Sequence, residues 1–146
     1  MAYCLPPRKI IRAMRRARKQ GVEIDIIVPA ESDVKLVQWA TEFLYEKWIK
    51  QGIRVFEREE RMLHSKVITV DDEWTIIGSC NLDFRSFRIN QEILATIHSE
   101  ACAKLIRNIC DHEMQNSRQI TLQDCQEHQW WKRLRNRIAY AFRWWL

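Results

Sequence analysis

The sequence predicts an α/β fold: a mixed β-sheet flanked by helices, with an added amphipathic helix at the C-terminus. Apolar residues recur at helical spacing in four segments, β-branched runs lie between them, and glycines or acidic turns fall at the joints. Ala2 to Leu5 reads as the end of a strand running into Pro6-Pro7. Arg8 to Gln20 is a basic amphipathic helix with Ile10, Ile11, Met14 and Ala17 on one face, and Gly21 stops it. Val22 to Val28 is β-branched and suits a buried strand. Asp33 to Gln51 sets Val37, Ala40, Leu44 and Trp48 at helical spacing and closes at Gly52. Ile53 to Phe56 is a short strand, and Lys66 to Val70 and Thr75 to Ile77 are two more joined by the Asp71-Asp72-Glu73 turn. Glu92 to His98 is a further strand and Glu100 to Met114 a further helix.

A chain of 146 residues, 47% apolar and 29% charged, has the size of one ordinary domain, and three glycines with three prolines leave no linker tract. Apolar runs such as Ile26 to Pro29 fall far short of the roughly 18 residues that a membrane span needs, so none is expected. The N-terminus lacks the basic segment and apolar core of a secretory signal, and no cleaved leader is expected. Five cysteines without CxxC spacing argue against a disulfide framework or a zinc site, so the thiols are expected to be reduced and no metal or organic cofactor is expected. The net charge of +5 favours polyanionic partners: nucleic acid, anionic lipid or phosphate-bearing substrates.

The composition changes near residue 117, which divides the chain into a main unit, 1–116, and a tail, 117–146. Trp130 to Leu146 puts Trp130, Leu134, Ile138, Ala141, Phe142 and Trp145 on one helical face, with Lys132, Arg133, Arg135, Arg137 and Arg143 around much of the rest. Aromatic residues at both ends of a cationic amphipathic helix suit an interfacial membrane helix, with Trp130, Trp131, Lys132, Arg133, Trp144 and Trp145 as contacts. The other reading is packing on the chain's own domain or on a partner.

The chemistry concentrates in His64-Ser65-Lys66, Asp71 and Gly78-Ser79-Cys80-Asn81, an HxK(x)4D(x)6GSxN pattern spanning eighteen residues. Alternate side chains of a strand share a face, so His64 and Lys66 point the same way. An imidazole beside an ammonium group suits a phosphodiester: the lysine neutralises charge while the histidine attacks or exchanges a proton. Gly78-Ser79 admits backbone and a small hydroxyl to the same anion, and Asn81 adds an amide donor. Lys66, Ser79 and Asn81 are therefore the candidate phosphate-binding residues. Asp71 sits at the hairpin turn, where structural hydrogen bonding competes with a chemical role.

This pattern resembles the signature of the phospholipase D superfamily. Asn81 to Glu92, reading NLDFRSFRINQE, resembles the NxDxRSxxxNxE extension of bacterial cardiolipin synthases, and Met62-Leu63-His64 resembles their approach to the motif. The likeness runs from about Ala2 to Arg107 and matches their second catalytic half. It implies a phospholipase D-like domain over 1–116, one half of a two-domain catalytic unit. The catalytic set it implies is His64, Lys66, Asp71 and Glu92. In that family a carboxylate in the region of Glu92, 28 residues after His64, fixes the histidine's tautomer.

The family builds one site from two HxK motifs, whereas His98, His112 and His128 each lack a lysine two residues on. The second motif is expected from another polypeptide, from a missing N-terminal half or from a homodimer partner. The resemblance implies transfer of a phosphatidyl group between phosphatidylglycerol molecules through a phosphohistidine, with His64 as the acid/base member. It also implies a peripheral position on the cytoplasmic side of the cell membrane, and no nucleic-acid partner. The alternatives are a homodimeric nuclease, with the Arg8 to Lys19 helix tracking a phosphate backbone, and a non-catalytic remnant that binds anionic membranes.

Overall fold

In the computed structural model, which describes residues 1–59, 63–127 and 129–146, two prolines set the first turn of the chain; Met62 and His128 lie outside the described residues. Pro7, at φ −55°, precedes α1 (Arg8–Lys19), which buries Ile11 and rests Met14 on the core. Its cations Arg8, Lys9, Arg12, Arg15, Arg16 and Lys19 face water. β1 (Asp25–Pro29) and β2 (Arg54–Arg58) pair in parallel, Ile26 opposite Val55. Between them α2 (Lys35–Lys50) buries Val37, Ala40, Leu44 and Trp48, whose steps of three and four residues make one face. Gly52 closes the helix at φ +80°, where an added Cβ would stand 2.6 Å from Nη2 of Arg18. The backbone conformation favours glycine there, whereas the flexible end of Arg18 could move aside.

Leu44, Trp48, Ile53 and Val55 form the centre of the core. Leu44→Ala is expected to cost about 2–5 kcal/mol, the range for a buried leucine that leaves a cavity. A urea titration should show a lower midpoint at unchanged slope.

The second half of the chain builds an antiparallel sheet from β3 (Val67–Val70), β4 (Trp74–Gly78) and β5 (Leu94–His98). Asp71, at φ 50°, makes the β3–β4 reversal in the left-handed region that aspartate tolerates better than most residues. Its carbonyl accepts from Nη2 of Arg107 at 2.7 Å, and Arg107 pairs with Asp72 at 2.6 Å, which latches α4 (Glu100–Gln115) to the hairpin. Asp71→Ala should therefore lower stability by about 1 kcal/mol. A thermal melt would show this, with phosphate binding at the other end of β3 unchanged.

α4 covers one face of this sheet, where Thr75 is buried; the opposite face exposes Ile68, Val70, Trp74 and Leu94. Between β4 and β5 lies a short helix, α3 (Phe84–Arg88), capped by the Asp83 carboxylate, which accepts from Ser86 N at 2.7 Å.

The expected mixed sheet is realised as two small sheets. Residues 3–5 join them: Leu5 N donates to Leu82 O at 2.7 Å and Leu82 N to Tyr3 O at 3.2 Å. The composition change near residue 117 does not interrupt the packing. β6 (Arg118–Gln119) pairs antiparallel with β2, and α5 (Leu122–Glu127) brings Cys125 into the core. α6 (Trp130–Ala141) packs on α2, with Arg133 on Glu46 (3.4 Å), Arg135 on Glu42 (3.1 Å) and Tyr140 stacked on Phe43. Among the described residues no helix is long and apolar enough to cross a membrane.

Candidate active site

The approach to β3 carries His64 and Lys66 on the same side. Nζ of Lys66 lies 3.0 Å from both Nδ1 and Nε2 of His64 and donates to the His64 carbonyl at 2.9 Å. Partial burial holds the Lys66 ammonium below its ordinary pKa, while the carboxylates of Glu92, Asp33 and Asp83 pull it back up. The imidazole itself is exposed.

The end of β4 is pinned beside this pair, because Gly78 N donates to Lys66 O at 3.2 Å. A Cβ on Gly78 would meet the Ile93 carbonyl oxygen at 2.0 Å, so no side chain fits. Ser79 follows; its hydroxyl donates to Oε2 of Glu92 and accepts from Ile93 N at 3.0 Å. Asn90 Nδ2 donates to the other Glu92 oxygen at 3.3 Å. These donors, Ser79 first, hold the Glu92 carboxyl below its usual range. Among the described residues no hydrogen bond joins Glu92 to His64; the carboxylate's charge acts on the Lys66 ammonium.

Asn81 is oriented from both sides: its Oδ1 accepts from Tyr3 N at 3.3 Å, and its backbone N donates to Ser86 Oγ at 3.2 Å. The amide NH2 is left as a donor. Asp71 lies at the opposite end of β3, with its carbonyl on Arg107.

Residues outside the motif also stand beside His64. Tyr3, Ser32, Asp33 and Leu63 share a small cleft with it. Tyr3 OH donates to the Asp33 carboxylate at 2.8 Å, and burial together with this bond pushes the phenol up to about 12. The signal that could have found Asp33 is its place just past the carboxyl end of a parallel strand, where α/β sheets bind ligands.

The tail reaches this same end of the molecule. Trp130, Trp131, Lys132 and Arg133 open α6, whereas Trp144, just past its end, sits edge-on against Phe84 with ring centroids 4.9 Å apart. Arg85 donates to the Trp145 carbonyl at 3.5 Å.

Chemically, the site offers an exposed imidazole, an adjacent ammonium, a small hydroxyl and an amide. This set can surround a phosphoryl group and exchange a proton with it. Among the described residues no cluster of three His, Cys, Asp or Glu side chains is placed to hold a metal ion.

The family model described as "Cardiolipin synthase, PLD-like domain" matches residues 1–114. Cardiolipin synthase 1 of Staphylococcus aureus (strain COL) is 34% identical over 119 residues, 82% of this chain and 24% of the relative. Cardiolipin synthase B of Salmonella typhi is 32% identical over 149 residues, 97% of this chain and 34% of the relative. The chain thus spans about a quarter to a third of the length of these relatives. In fold it is similar to Nuc, a phospholipase D family member from Salmonella typhimurium, with TM-score 0.70 at 22% identity over 82% of this chain and 78% of that one. It is also similar to the phosphatidylserine synthase of Haemophilus influenzae Rd KW20, with TM-score 0.71 at 14% identity over 97% of this chain and 37% of that one. Matched by that family model over residues 1–114 and carrying the eighteen-residue signature, the chain belongs to the cardiolipin synthase, phospholipase D-like domain family.

Proposed function

We propose that this chain supplies one HxK half of a phosphatidyltransferase of the cardiolipin-synthase type. The observation that carries the reading is the Lys66 ammonium held against both ring nitrogens of His64, with Ser79 and Glu92 alongside. Lys66, Ser79 and Asn81 bind the phosphoryl oxygens. The histidine of a second half attacks phosphorus, the bond to the departing glycerol breaks, and His64 gives that oxygen its proton. The hydroxyl of a second phosphatidylglycerol then attacks phosphorus and returns a proton to His64 as the phosphorus–nitrogen bond breaks. Cardiolipin and glycerol are the two products, and no water is consumed.

Glu92 steadies the Lys66 ammonium from its place on Ser79; direct orientation of His64 requires one carboxylate oxygen to leave Ser79 or Asn90. The bare face of the second sheet, bordering Lys66, is where the second half docks, whether that half is a separate polypeptide or another copy. A general acid needs its partner on the far side of phosphorus, so one half alone cannot complete the cycle.

The test is mass-spectrometric counting of products from phosphatidylglycerol vesicles. Cardiolipin and glycerol should form in equal amounts, at a rate per chain that rises with chain concentration or on addition of a second HxK half. Chelator should leave the rate unchanged, because the histidine and lysine take the place of a metal's charge. Phosphatidic acid as the main product would contradict transfer. Faster cleavage of nucleic acid than of lipid would favour a nuclease, with α1 as its backbone contact.

A further inference from the structure

α6 meets the rest of the chain with one side only. Asn136, Ala139 and Tyr140 face the core and α2, and Arg135 is drawn inward between Glu42 and the ring of Trp39. The opposite side is bare: Trp130 is 76% exposed, Leu134 49%, Ile138 52%, Phe142 55% and Trp145 80%. At helical spacing these residues form a single stripe, about 18 Å long from Trp130 to Phe142 at 1.5 Å per residue. Arg133 and Arg137 run along one edge of it. Arg137 has no partner among the described residues, Arg133 reaches only Glu46, and Lys132 engages only the face of Trp131.

The stripe also leads to the catalytic end of the molecule. Just past α6, Trp144 packs on Phe84 and Arg85 holds the Trp145 carbonyl. The same short helix exposes Phe87 (44%), followed by Ile89 (60%), so the apolar ridge ends at the loop that carries Asn81 and Glu92.

We infer that this side of α6 is the surface by which the protein docks on an anionic lipid bilayer, with the Trp144–Phe84 contact holding the phosphate site at the same plane. The occupant is fixed by the chemistry of the ridge. Tryptophans stand at both ends, where interfacial rings settle at headgroup depth, and the guanidinium of Arg137, with Arg133 beside it on Glu46, lies along the edge where lipid phosphates would sit. The orientation of the site rests on the proposed phospholipid substrate; the docking itself does not. Removing the tail is a poor probe, because Ala139 and Leu146 pack on the core and a shortened chain would report folding.

The experiment is sedimentation of the full chain with vesicles of phosphatidylcholine, alone or with phosphatidylglycerol. The parent chain should bind the anionic vesicles. Ile138→Glu and Phe142→Glu should each weaken binding at least about tenfold and Arg137→Glu several-fold, all with unchanged circular dichroism. Leu105→Glu, at a 61% exposed apolar position on α4, should bind like the parent. The same losses should appear with phosphatidylserine in place of phosphatidylglycerol, which separates failure of docking from failure of the catalytic reading. Folded Ile138→Glu and Phe142→Glu chains that bind like the parent would overturn the inference. So would dispersal of a dimer by these substitutions with vesicle binding intact, because the ridge would then be a protein interface.

Discussion

Replacing His64 by alanine should reduce phosphatidyl transfer by the assembled two-half enzyme by about 10²–10⁴-fold, the range for losing a positioned acid/base group. Folding should hardly change. The imidazole is exposed and its side-chain partner is the Lys66 ammonium, so stability should stay within about 0.5 kcal/mol of the parent. Initial rates and urea melts on the same preparations check both halves of the statement. A proportional fall in rate and stability would make His64 a structural residue. A rate close to the parent's would move the chemistry elsewhere.

The second large effect is expected from Gly78→Ala. Its new Cβ would stand 2.0 Å from the Ile93 carbonyl oxygen, and because that atom is backbone the strands must part. The same carbonyl accepts from Ser79 N at 3.0 Å, and the next residue back is Glu92, so the clash and the Ser79 hydroxyl share one piece of chain. Overpacking plus a lost hydrogen bond should cost roughly 2–4 kcal/mol. Activity should vanish even at temperatures where the variant stays folded. Ser79→Ala is the matched control: it removes the hydroxyl from Glu92 without the clash. It should therefore keep most of the stability while losing phosphate affinity. Calorimetry on the two variants, beside their rates, separates crowding from the missing donor.

The long elements were legible because their side chains repeat. Val37, Ala40, Leu44 and Trp48 announce α2, and the glycines after α1 and α2 mark their ends within a residue or two. β6 was not legible: two residues, Arg118 and Gln119, show no alternation, and they pair with β2 only because Ile120 is pulled into the core behind them. α3 is a five-residue helix whose cap, Asp83 on Ser86, is visible in sequence but too short for any period. Of the tail's two readings, packing on the domain is met on one side of α6, and the other side is exposed. Ala139 and Tyr140 pack on the domain, while Trp130, Leu134 and Ile138 do not.

In the site, the spacing of His64, Lys66, Gly78 and Ser79 carried the local chemistry, because a strand's alternation and a glycine's small size are local properties. The partners that come from distant chain were not readable. Tyr3 meets Asn81 across 78 residues and Asp33 across 30, and only the joining of the two sheets brings them together.

The most direct test of the phosphodiester site is a titration of the full chain with a soluble glycerophosphodiester, following the imidazole resonances of His64 by NMR. A saturable shift at His64 is expected, weakened at least about tenfold in Lys66→Ala, which removes a charge-assisted contact, and unaltered in Asp71→Ala. No shift at His64, or an equal affinity in Lys66→Ala, would mean that the converged residues do not form a phosphodiester site.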